Sequence, residues 1–148
     1  MVRWFFMCLF LLSLFACGGG VPSPQVRLQA LDLEKVTFAD FVVFSSKLTC
    51  AQISQENYLS ESPNTKNARL FCQPIKVADK TLWLKDLPVG NDLVVFVVGI
   101  TLENNQKKIV ATGCVDRVQF AEGQLASLDI KMLDVTPTPA TNGCPSGS

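Results

Sequence analysis

The chain has 148 residues, 13 basic and 13 acidic side chains and no histidine. That length fits one domain. The balanced charge, with no basic run and no interleaved aromatics, excludes a nucleic-acid interface. The missing histidine removes the commonest general base and the usual metal ligand.

In chain order, the first segment is "MVRWFFMCLFLLSLFAC". Arg3 is its only charge, and the apolar run from Trp4 through Ala16 is interrupted only by Ser13. A spanning helix needs about 20 apolar residues, so this run has the length of a secretory h-region, closed by a small residue. The stretch Leu14, Phe15, Ala16, Cys17 resembles the lipobox of bacterial lipoproteins. That resemblance implies a signal peptide over residues 1–16, cleavage before Cys17 and a diacylglyceryl group on its thiol, which holds the chain to a membrane. Gly18 at the next position, where aspartate would resemble an inner-membrane retention signal, is compatible with the outer membrane. The glycines and "VPSPQ" make residues 17–25 a flexible tether. Loss of residues 1–16 removes Arg3 alone, leaving a net charge near −1.

The domain proper is expected over residues 26–135. "VRLQALDL" (Val26 to Leu33), "FVVF" (Phe41 to Phe44) and "ARLFCQ" around Phe71 read as strands. Thr81 to Lys85 alternates, with Leu82 and Leu84 on one face and Trp83 on the other. Pro88 and Gly90 mark a turn. Leu93 to Leu102 is rich in β-branched residues and predicts a central strand. "ENNQKK" predicts a hairpin, because Asn104 and Asn105 tolerate left-handed backbone. "IVATGCVDRVQF" returns as a strand, Gly123 turns the chain again, and "LASLDIKMLDV" places Ala126, Leu128, Ile130 and Met132 on one face. The fold class is all-β, a single antiparallel β-sandwich of about seven strands. The succession of Leu87, Pro88, Val89, Gly90, long strand, hairpin and final alternating strand resembles transthyretin-like, CnaB-like and immunoglobulin-like sandwiches over residues 79 to 135. The isopeptide bond that CnaB-like domains can form has no matching motif; Lys35 or Lys47 with Asp129 supplies residue types only.

Two stretches do not read as sheet. Residues 51–68 are polar and include the only tyrosine, Tyr58; such a segment is a recognition loop or a tolerated surface insertion. Residues 136–148, "TPTPATNGCPSGS", have the composition of an extended solvated tail.

With Cys8 in the signal and Cys17 lipidated, Cys50, Cys72, Cys114 and Cys144 form an even set, which in an exported domain argues for two disulfides. Of the three connectivities, the shorter loops favour Cys50–Cys72 and Cys114–Cys144. Without histidine or C-x-x-C spacing, no metal site is expected, and no motif implies a cofactor. Asp32 with Glu34 or Asp40 could form an acid/base pair only if two carboxylates faced one pocket about 5 to 9 Å apart; their spacing instead suits solvated edges and turns. The expectation is a non-catalytic structural or protein-interaction module of the cell envelope. The alternative is a module for carbohydrate or another surface ligand, contacted by Tyr58 and Trp83.

Overall fold

In the computed structural model the described residues are 25–30, 33–53, 63–77, 81–84, 86–122, 127–141 and 143–144. The signal segment, Cys17, Asp32, Tyr58, Gly123 and Ala126 lie outside them.

The class is all-β. Among the described residues, seven strands are β1 (Gln25–Ala30), β2 (Phe38–Phe44), β3 (Arg69–Lys76), β4 (Thr81–Trp83), β5 (Gly90–Glu103), β6 (Gln106–Phe120) and β7 (Ser127–Pro139). Among the described residues, helix is confined to α1 (Pro63–Ala68) and two 3-10 turns, Leu33–Lys35 and Cys50–Gln52. No helix among the described residues is long and apolar enough to cross a membrane. The strands hydrogen-bond in the continuous order β3-β2-β5-β6-β7-β1-β4. Pairing is antiparallel except between β1 and β7, which run parallel.

β2 and β5 form the centre. Every residue from Ala39 to Phe44 and from Leu93 to Ile100 is buried, so neither strand has a wet face. The period-two alternation of side chains sorts them. Phe41, Val43, Val95 and Val97 face one apolar cluster, and Val42, Phe44, Val94, Phe96 and Val98 face the other. The first cluster is completed by Leu84, Ile130 and Met132 from the far half of the strand order. The second is closed mainly by irregular chain, with Leu48, Ile53 and Ala68 buried against it and all four domain cysteines packed at its margin.

The hairpin forms as its sequence predicts. Asn104 and Asn105 take φ of 51° and 62°, and Lys108 pairs with Glu103 across the turn. On β7, Ile130 and Met132 are buried while Ser127, Asp129 and Lys131 are exposed, as the alternation requires.

β7 runs past residue 135. The strand continues to Pro139, and Thr138 and Pro139 stand opposite Ile109 and Lys108. The reason is a change of partner. Residues 127–132 pair with β1 and residues 132–139 with β6, so the later half has β6 alone beside it. Proline lacks a donor but is tolerated on such a one-sided stretch. Ala140 then donates its N–H to the Lys107 carbonyl at 2.9 Å.

Gly113 sits where β7 makes that change. A Cβ there would lie 2.7 Å from Ile130 Cγ2 and Met132 Sδ and 2.9 Å from the Lys131 carbonyl oxygen. The backbone oxygen cannot rotate aside. Gly113→Ala is therefore expected to destabilise the domain by about 1–3 kcal/mol through overpacking, read as a lower urea midpoint at unchanged slope.

Candidate functional site

The side chains that draw attention lie on the second cluster's face, beneath two crossing lengths of chain. The first leaves β2 after Phe44. Ser45 donates its N–H to the Ala68 carbonyl at 2.8 Å, tying this stretch to the end of α1. Leu48 turns inward. Thr49 then opens the Cys50–Gln52 turn, its N–H and Oγ1 both donating to Gln52 Oε1, at 2.9 and 3.1 Å. The second length leaves β7 at Pro139 and ends at Cys144.

Both are covalently fixed. Cys50 bonds to Cys114 and Cys72 to Cys144, with Cα separations of 5.7 and 5.2 Å. This corrects the local pairing expected from loop length. The bridges span separations of 64 and 72 residues, and loops of that size restrict the unfolded chain by about 4 kcal/mol each in the entropic account. Shortest-loop reasoning failed because strand order brings together cysteines far apart in sequence.

A carboxylate accompanies each bridge. Asp116 Oδ1 accepts the Cys50 N–H at 2.7 Å. Asp40 Oδ2 accepts the Cys144 N–H at 3.1 Å. Asp40 was expected at a solvated edge; it is only 4% exposed, on the cluster-facing side of β2 and covered by the tail. A Cβ on Gly143 would come within 2.8 Å of Asp40 Oδ2, so the glycine permits this closeness. Asp116 was not singled out from the sequence, and Asp40 was singled out for the wrong reason. The available signal was a lone carboxylate inside the apolar run "FADFVVF", since a buried charge needs donors.

Two bulges shape the region beside Cys50. Between Leu93↔Val118 and Val95↔Val115, β6 gains one residue over β5; between Gly90↔Phe120 and Leu93↔Val118, β5 gains one over β6. Each bulge holds a non-glycine residue at positive φ, Arg117 at 59° and Asp92 at 55°. The first bulge lets Val115 and Val118 both face the inner cluster and leaves Asp116 free to meet Cys50. An open cleft of about 440 Å³ lies here, lined by Ser46, Leu48, Thr49, Asp92, Asp116 and Arg117 among others. A second, about 250 Å³, lies across Leu48 and is lined by Lys47, Gln52, Asn64 and Asn67. Their chemistry is that of hydrogen-bond recognition: carboxylates, one guanidinium, hydroxyls and primary amides. Among the described residues, no group of three or more metal-ligating side chains comes together.

Glu34 and Asp40 are not brought together. Glu34 is exposed in the Leu33–Lys35 turn, while Asp40 is buried under the tail. Trp83 ends β4, the edge strand opposite β3, and residues 51–68 run into β3.

No family model matches the chain, and no curated protein matches it. Two solved structures resemble the fold. One is a DUF4876 family protein from Bacteroides thetaiotaomicron VPI-5482, with a TM-score of 0.42 and 13% identity, covering 77% of this chain and 23% of that one. The other is a putative adhesin from Bacteroides ovatus, with a TM-score of 0.42 and 12% identity, covering 76% of this chain and 47% of that one. The chain thus spans less than half the length of either.

The positive φ at Arg117 has a measurable cost, because left-handed backbone disfavours side chains with a Cβ by about 1–2 kcal/mol. Arg117→Val, β-branched, is expected to lower stability by about that much or more, whereas Arg117→Gly keeps or raises it. Urea unfolding of the two variants compares them directly.

Proposed function

We propose that the chain is a membrane-anchored lipoprotein of the cell envelope, held by lipid on Cys17, whose β-domain is a non-catalytic structural or protein-interaction module. The observation that carries this reading is the cysteine pairing. All four cysteines of the domain are used in two long-range bridges, which suits an oxidising compartment. Cys17 is left over, directly after the small residue that ends an apolar run, where a lipobox requires it. Two or three acyl chains there give stable anchoring, since one chain alone binds a bilayer only marginally. Gly18 after the cysteine is compatible with the outer membrane.

The inner cluster uniting Phe41 and Val43 with Leu84, Ile130 and Met132 supports a transthyretin-like sandwich, in which the sheet order folds over at β7. Such a body, cross-linked twice, suits a rigid carrier of a recognition surface. The alternative, a module for carbohydrate or another surface ligand contacted by Tyr58 and Trp83, draws support from the amide-lined cleft of Gln52, Asn64 and Asn67.

Intact mass of the protein extracted from envelopes of a Gram-negative host tests the anchor. The expected species is residues 17–148 with a diacylglyceryl group, with or without a third acyl chain, and four hydrogens fewer than the reduced chain. Cys17→Ala is expected to lose the lipid mass and leave the detergent-extracted lipoprotein fraction. An unmodified wild-type chain cleaved after Ala16 and found in the soluble fraction would overturn the reading.

A further inference from the structure

Cys72, Val42, Phe96 and Cys114 stand in one cross-strand row over β3, β2, β5 and β6, all on the second cluster's face. Three strand spacings separate the two cysteines by about 14 Å, and a disulfide tolerates a Cα separation of at most about 7 Å. Once the sheet is paired, Cys72 cannot meet Cys114, so one of the three connectivities is excluded. Two remain: the observed set, and Cys50–Cys72 with Cys114–Cys144. The sheet does not decide between them. The chain bearing Cys50 leaves from β2, which lies between the two cysteines of the row, and either end is within its reach.

The carboxylates break this tie. Asp116 follows Cys114 on β6 with only Val115 between, and its Oδ1 takes the Cys50 N–H. Asp40 lies on β2 opposite Pro74 of β3, close to Cys72 in the pairing, and its Oδ2 takes the Cys144 N–H. Each acceptor stands beside one cysteine of the row and holds the backbone of the cysteine that bonds to it. Gly143 lets the tail come close enough for this. We propose that Asp40 and Asp116 select the disulfide pairing, each docking the amide of the incoming cysteine beside its partner before the sulfurs bond.

The chemistry is thiol–disulfide exchange with a small disulfide oxidant such as oxidised glutathione. One cysteine thiolate attacks the oxidant, forming a mixed disulfide and expelling one glutathione thiolate. The thiolate of the other cysteine, held in place by its docked amide, attacks the protein sulfur of that mixed disulfide and expels the second. Two protein thiols have then lost two protons and two electrons, and the oxidant has become two glutathione thiols. The carboxylates take no part in the exchange; they are positioning residues.

The test is oxidative refolding of the full chain, recovered in detergent from an expression host, then reduced and denatured. Oxidised glutathione starts the reaction, acid quenches it at successive times, and non-reducing proteolysis with mass spectrometry reads the pairing. Compared are wild type, Asp116→Ala, Asp40→Asn, the double variant, and Asp129→Asn as an exposed control on β7. In the double variant the early ratio of native to local pairing is expected to fall about tenfold, as loss of charge-assisted hydrogen bonds would produce. Each single variant is expected to fall by less, and Asp129→Asn to match wild type. The ratio is read from quenched intermediates, so a variant that never completes the fold still reports it. A double variant with the wild-type ratio at every quench time would overturn the proposal and reduce both carboxylates to partners of the finished structure.

Discussion

The rest of the structure depends on a central strand pair with no exposed face. β2 and β5 bury consecutive residues, and all of those side chains but the Asp40 carboxylate must meet apolar atoms above or below the sheet. A single sheet cannot do this for itself on both sides. One side is supplied by Leu84 and the inward residues of β7. Across the other, among the described residues, lie coil, a short helix and the tail. Coil is a poor cover, because its backbone polar groups need partners wherever water is excluded. The two bridges and their neighbouring carboxylates answer that need. They fix the covering chain and satisfy the amides of Cys50 and Cys144.

This division explains what could be read from residues alone. The unbroken run from Leu93 to Ile100 announces a central strand, and the alternation of Leu128, Ile130 and Met132 announces a one-sided one. The Asn104–Asn105 turn is equally plain, since its residue types accept the backbone they adopt. The end of β7 was concealed by proline: Pro137 and Pro139 argue against a strand unless one knows that β1 stops pairing at Met132. Nothing local records that.

The site was less legible than the fold for the same reason. That four cysteines pair suits their even number; which ones pair follows from strand order, a global property. Asp40 carries the same letter as a surface aspartate and differs only in what lies over it. Arg117 and Asp92 occupy backbone that usually calls for glycine, so no residue type marked the bulges. Trp83 is conspicuous in the sequence, and it ends the edge strand β4.

The interleaving of the two bridges bears on how the domain carries load. Position 72 falls inside the loop closed by 50 and 114, and position 144 outside it, so the two covalent rings overlap and share the chain from 72 to 114. Tension entering through the N-terminal segment can peel away β1 and then β2, but it reaches the first cross-link at Cys50. At about 3.3–3.6 Å per residue, the chain ahead of that cysteine lengthens freely, while beyond it the bridges leave only the stretch from Cys50 to Cys72 to extend before Cys144 is reached. A pull relayed through this domain meets a short, soft extension followed by a stiff one: a tether with a built-in stop.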